Sequence, residues 1–139
     1  MDPAGARALF EAARVARLAT VSAGGRPHIV PITFALDADT VYTAVDDKPK
    51  RTSRLRRLEN IAANEQVSVL VDDYQDDWSR LWWGRAEGVA RIVAPGDPEH
   101  RHAVELLQRR YVQYRERPPA GPAIAVAVLR WSGWRASGD

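Results

Sequence analysis

The stretch Leu18-Ala19-Thr20-Val21-Ser22-Ala23-Gly24-Gly25-Arg26-Pro27-His28-Ile29-Val30-Pro31-Ile32-Thr33-Phe34-Ala35-Leu36 decides the fold class. Leu18 to Ser22 reads as a short strand, Gly24-Gly25 as a turn, and His28 to Leu36 as a second strand. The even positions of that strand (His28, Val30, Ile32, Phe34, Leu36) are mostly large and apolar. The odd positions Pro31, Thr33 and Ala35 are small, an alternation that suits a strand with one packed face. A turn this tight enforces antiparallel pairing, which argues against an open parallel sheet.

Working outward, Asp37-Ala38-Asp39 turns the chain into a third strand, Thr40 to Val45. Further strands are expected at Val67 to Val71, Ser79 to Ala94 and Ile124 to Trp131. Helices are expected at Ala4 to Ala16, Thr52 to Ala63 and from Asp97 to about Arg117, each with an apolar stripe. The order α-β-β-β-α-β-β-α-β predicts a mainly β (α+β) fold: one domain over 1–139, a small six-stranded antiparallel barrel with peripheral helices.

Composition narrows the chemistry. The 139 residues are 45% hydrophobic and 27% charged, as in ordinary globular domains. There is no cysteine, which removes disulfides, thiolate metal sites and a cysteine nucleophile and fits a cytoplasmic protein. The longest apolar run, Ala123 to Leu129, is far short of the roughly 20 residues of a bilayer span. Met1-Asp2-Pro3 opens no apolar segment suited to a signal peptide. His100 and His102 stand two apart on a helix and share no face, so no metal site is expected. The serines have no nearby histidine partner, and hydrolase chemistry finds no support.

Charge placement is the informative anomaly. Twenty basic residues against 18 acidic ones give a net +2, and 18 of the 20 are arginine. The window Lys48-Pro49-Lys50-Arg51-Thr52-Ser53-Arg54-Leu55-Arg56-Arg57 holds six cations and no acid around a helix start. The helix dipole disfavours cations there, whereas free amides, hydroxyls and Lys or Arg together suit a phosphate. A solvated basic patch is the plain alternative. A nucleic-acid site is disfavoured by the small net charge and by the acidic loop Asp72 to Asp77. Of the five tryptophans, Trp78, beside that loop, is the candidate ring or substrate contact, and core or interface packing is the ordinary role of the others.

Leu18 to Val21, Gly25-Arg26-Pro27-His28-Ile29-Val30-Pro31-Ile32, the Lys50-Arg51-Thr52 to Leu55 helix start and Val67 to Asp72 together resemble the flavin-binding split β-barrel superfamily of pyridoxamine 5′-phosphate oxidase. Within it, the chain is similar to the actinobacterial branch of deazaflavin (coenzyme F420)-dependent oxidoreductases. The similarity runs from about Phe10 to Trp134. It implies a homodimer with a cofactor groove between subunits. The cofactor phosphate would sit on Lys50, Arg51, Thr52 and Arg54, and the ring against Pro31, Thr33, Ala44 and Val45. The family often places a cation where this chain has Pro49, with Lys48 and Lys50 flanking that position. The resemblance implies coenzyme F420 as cofactor and a small unsaturated or conjugated organic substrate, with no nucleic-acid or membrane partner. Arg80 and Arg85 would suit the acidic oligoglutamate tail of F420. FMN as cofactor, and a non-catalytic F420 carrier, are the alternatives.

Overall fold

The elements run α1 (Pro3–Ala12), β1 (Ala16–Val21), β2 (Pro27–Ile32), β3 (Ala35–Asp37), β4 (Thr40–Ala44), α2 (Arg51–Ala63), β5 (Gln66–Asp73), β6 (Trp82–Val93), α3 (Pro98–Arg110), α4 (Gln113–Glu116) and β7 (Ala123–Arg135). They are seen in a computed structural model that describes residues 1–45 and 51–137, the side chains of 51–55 excepted. The seven strands form one antiparallel sheet in the order β2-β1-β5-β6-β7-β4-β3.

Topology bends this sheet. β2 and β3 follow each other in the chain yet occupy opposite edges, joined only by Thr33-Phe34. Laid flat, six strand-to-strand steps would part those edges by about 29 Å. The link from Ile32 to Ala35 reaches at most about 10 Å. The sheet must therefore roll until its edges nearly meet, while the hydrogen-bond ladder stays open between β2 and β3.

Several expectations need correction. The sheet has seven strands instead of six, because His28 to Leu36 is two strands and not one. The inward alternation continues across the break, but the pairing partner changes from β1 to β4. At the break, the Phe34 N–H donates to the Tyr111 hydroxyl at 3.1 Å, and that hydroxyl lies 3.0 Å from the Phe34 carbonyl. A side chain replaces the strand partner there. The helix expected to reach Arg117 stops at Arg110, with Tyr111 extended, and only the short α4 follows. The first helix ends at Ala12 instead of Ala16, since Ala13 is already extended and Ala16 opens β1. The strand expected from Ser79 starts at Trp82, after a 3-10 turn over Trp78–Arg80. Asp77 caps that turn, accepting from the Ser79 amide at 3.1 Å and its hydroxyl at 2.6 Å.

The core lies inside the roll. Leu18, Ile32, Phe34, Val41, Val67, Val69, Val71, Ala86, Ile124 and Val126 meet there, with Leu9 and Phe10 of α1 and Ile61 of α2 closing it. Phe10 packs edge-on against Phe34 and Trp131, centroids 5.8 and 5.1 Å apart. α3 covers only part of the outer surface. Ala103 and Leu107 bury against Tyr42, Ala44, Ala35, Val93, Ala123 and Ala125 of β4, β3, β6 and β7.

Candidate functional site

What α3 leaves bare defines the candidate site. The outward residues of β2 (Pro27, Ile29, Pro31) are exposed, Ile29 at 64%. Next to them stand Arg17, Ala19 and Val21 of β1 and Ser68, Leu70 and Asp72 of β5, all exposed or half-exposed. Register continues the surface across the sheet. Ile29 faces Ala19, Ser68, Glu87 and Arg130 in turn, and Pro31 faces Arg17, Leu70, Arg85 and Ser132. Further along, Asp72, Trp83 and Trp134 stand side by side, with Trp134 42% exposed.

Charges on this face are only loosely settled. Arg17 lies 3.5 Å from Asp72, and Arg85 lies 3.6 Å from Glu87 while stacking on the Trp83 ring at 5.1 Å. Arg85 Nε, Glu87 Oε1 and Ser132 Oγ are buried without a hydrogen-bond partner. Arg85 Nε and Glu87 Oε1 are the two ends of that 3.6 Å ion pair, so the charge of each is met although no hydrogen bond forms.

The sequence-predicted site residues fall into four groups. Pro31 lies on the outward side of β2, and Thr33 lies at the break between β2 and β3. The Thr33 hydroxyl is 2.7 Å from the Tyr114 hydroxyl of α4, and its carbonyl accepts from Thr43 at 2.7 Å. Ala44 and Val45 are packed, not presented. Ala44 is 6% exposed beneath Leu107 and Tyr111, and Val45 is 2% exposed with its amide bonded to Pro122. Trp78 is 77% exposed on the 3-10 turn, near Arg80 and apart from the β2 surface in sequence and sheet position. Lys50 lies outside the described residues, as do the side chains of Arg51, Thr52 and Arg54. The backbone places Arg51 as the first residue of α2, whose first turn holds no acid. Its leading amides therefore have no intrahelical acceptor.

α2 also brings together residues that sequence reasoning left as ordinary. Asn60 is buried and donates from Nδ2 to Thr20 Oγ1 at 3.0 Å. Thr20 stands directly opposite His28 on the inward side of β1 and β2. One helical turn before Asn60 comes Arg57, half-buried. Burial lowers the pKa of its guanidinium. His28 is lowered too, first by desolvation and then by the fields of Arg56 and Arg57. His28 Nδ1 and Arg57 Nε are both buried without a partner. The readable signal was the i, i+3 spacing from Arg57 to Asn60, which puts both on one helix face. Among the described residues, no group of three or more metal-ligating side chains gathers.

Comparison with known proteins adds lineage. Residues 3–135 match the family model described as pyridoxamine 5′-phosphate oxidase. A 57-residue stretch is 39% identical to the 5a,11a-dehydrotetracycline/5a,11a-dehydrooxytetracycline reductase of Streptomyces rimosus, covering 41% of this chain and 39% of that protein. The match thus spans well under half of that relative. Among solved structures, a FAD-binding protein of Mesorhizobium loti superposes with a TM-score of 0.71 at 20% identity, covering 96% of this chain and 94% of that one. A heme binding protein of Mycobacterium smegmatis gives 0.74 at 19% identity, covering 96% of this chain and 54% of that one. At these identities the likeness is one of fold.

Proposed function

Because the chain belongs to the pyridoxamine 5′-phosphate oxidase family, we propose that it is an oxidoreductase using a phosphate-bearing flavin-type cofactor, and specifically reduced coenzyme F420. Its substrate is a small unsaturated or conjugated organic acceptor. One observation carries the reading: a helix start with six surrounding cations and no acid in its first turn. That is an arrangement the helix dipole opposes unless an anion is bound. The bare outward face of β2 and β1 supplies the second requirement, a surface of small and apolar residues (Pro31, Ala19, Val21) on which a flat ring can lie. The residues present thus fit such a cofactor.

When bound, a reduced deazaflavin would supply the hydride on its own ring. The chain's own residues bind and orient. The amides at the start of α2, with Lys50, Arg51, Thr52 and Arg54, hold the phosphate. Pro31 and Thr33 leave room for the ring, and the Thr33–Tyr114 hydroxyl pair fixes one wall of the groove. A second copy of the chain, docked on the bare face, excludes water from the other side. The partial relative named as a dehydrotetracycline reductase supports reduction as the direction of chemistry. Arg80 makes no ion pair among the described residues and stays available for an acidic cofactor tail, whereas Arg85 is engaged with Glu87 and Trp83.

Fluorescence titration of the purified protein with F420, FMN and hemin decides the ligand. Saturable F420 binding is expected, and binding of none of the three would sink the reading. A yellow, FMN-loaded preparation would transfer it to FMN. A second reading, a carrier that holds the cofactor without turnover, draws on the likeness to a protein named for binding heme and not for a reaction. F420 binding without oxidation of the reduced form across a panel of enones and quinones selects the carrier.

A further inference from the structure

A cleft of about 420 Å³ lies between α1, the β3 edge and α3, lined by residues of neither α2 nor β2. That volume is within the range of small-molecule sites. Leu36 and Leu106, both half-buried, give it an apolar floor, and three arginines border it. Arg7 bonds Glu11 through Nη1 and the Ala38 carbonyl through Nε at 2.8 Å, so its charge is met. Arg110 has no such counter-charge. Its Nε donates to the Tyr111 hydroxyl at 3.2 Å and its Nη2 to the carbonyls of Phe10 and Ala13, while the guanidinium lies over the Phe34 ring at 4.7 Å. Those partners are all neutral. Nη1 is solvent-accessible and has no partner among the described residues. Arg109, exposed, makes no ion pair among the described residues either. Three guanidinium groups thus face one carboxylate across the cleft. A strand edge adds a neutral donor. β3 ends the sheet, and Asp37 and Thr40 flank the two-residue turn to β4 as its hydrogen-bonded pair. Leu36, one position back, therefore turns its N–H and C=O away from β4 to the open edge.

We propose that this cleft binds a compact apolar carboxylate, with a body of one or two rings over Leu36 and Leu106 and its carboxylate on Arg109 and Arg110. Guanidinium N–H groups lie in a plane and match the two oxygens of such a head. The cationic surplus repels a cation, and the leucine floor rewards an apolar body that a free inorganic anion lacks. An extended peptide is disfavoured, because β3 is only three residues long. The site owes nothing to the cofactor reading, since it shares no residue with the start of α2 or the bare face of β2 and β1.

Amide NMR titration of the whole protein at constant ionic strength, with naphthoate against its neutral analogue naphthylmethanol, tests the site. Saturable naphthoate shifts are expected at Leu36, Leu106 and Arg109, with Ala19 and Ile29 of the bare face unmoved. Naphthylmethanol should bind at least tenfold more weakly, because it leaves the guanidinium groups unanswered. No saturation by about 10 mM naphthoate overturns the proposal. So do shifts centred on Ala19 and Ile29, or equal affinity for the neutral analogue.

Two exposed positions give changes of opposite sign without disturbing the core. Arg109→Gln removes a cation and should weaken naphthoate about tenfold. Glu11→Gln removes the carboxylate that competes for Arg7, and should tighten naphthoate about 2- to 5-fold. Naphthylmethanol affinity should change in neither variant. Unchanged naphthoate affinity in both variants, or weakening in both, defeats the site. Arg110 is left intact in these variants, because its bonds to the carbonyls of Phe10 and Ala13 hold α1 in place.

Discussion

Tyr111 bears a structural duty unusual for one hydroxyl. It accepts from the Phe34 amide, lies 3.0 Å from the Phe34 carbonyl and 2.9 Å from the Arg14 carbonyl, and receives the Arg110 Nε at 3.2 Å. Tyr111→Phe strands the buried Phe34 backbone groups, and a loss of about 1–3 kcal/mol is expected in urea unfolding. Faster amide exchange at Phe34 should accompany it. Gly88 is as constrained. A Cβ there would lie 2.1 Å from the Ala127 carbonyl oxygen, beside the bulge that leaves Leu129 unpaired between Val128 and Arg130. Gly88→Ala should cost about 2–3 kcal/mol by the same measurement. Ala38 shows the opposite case, since it adopts φ 50° in the two-residue turn between β3 and β4. Ala38→Gly should raise stability by about 0.5–1 kcal/mol, and an unchanged or lower denaturation midpoint would refute the turn argument. None of these three was legible in the sequence. Each depends on a contact or dihedral set by residues far along the chain.

Among the elements, α3 is tied down by a charged clamp at its N-terminal end. Asp97 caps it, accepting from the Glu99 amide at 2.8 Å. Arg91 of β6 reaches Glu99 with two bonds of 2.5 and 2.6 Å, and the Tyr42 hydroxyl of β4 donates to it at 2.8 Å. The Arg91 hydrogen bonds hold the Glu99 carboxyl below its ordinary value of 4.5, outweighing its partial burial. Burial, with Glu99 beside it, pushes the Tyr42 phenol up to about 12. A depressed carboxyl stabilises the fold fully above its unfolded pKa, and that stability fades as pH falls through the folded value. Acid unfolding should therefore begin below about pH 4.5, and Glu99→Gln should remove part of the pH dependence there. Arg91 is well exposed, so the contribution is expected at about 1 kcal/mol or less. The helix order and the α3 cap were readable from Asp97-Pro98-Glu99. The end of α3 was not, because the apolar spacing runs on past Arg110 while tertiary contacts pull Tyr111 out of the helix. The basic start of α2 was readable from charge alone. The burial of Arg57 was not, because which helix face turns inward is decided by β1 and β2. Replacing Lys50 and Arg51 with alanine should weaken cofactor binding by about 1–3 kcal/mol per lost charged hydrogen bond, measured by fluorescence titration.

At the scale of the molecule, an antiparallel β fold with helices was legible because alternation and tight turns are local signals. The strand count was not, since parity runs unbroken from His28 to Leu36 while the partner strand changes. The bare face of β1, β2 and β5 likewise follows only from where α3 lands. If that face joins two copies, Ile29→Asp and Trp134→Asp should each shift the protein toward monomer in sedimentation and weaken cofactor binding together. A dimer indifferent to both would place the contact elsewhere. The two open edges of the sheet decide how such copies can meet. Ser22 donates to the Arg26 carbonyl, so in the register of β1 and β2 the pairs at Pro27, Ile29 and Pro31 are the ones whose backbone groups turn away from β1. Two of those three positions are prolines and have no N–H to offer. The opposite edge, β3, is only three residues long. A passing strand finds a single donor on one rim and too short a rail on the other, so this chain is built to resist polymerising rim to rim. Self-association is left to flat contact through side chains, which can be specific and can stop at two.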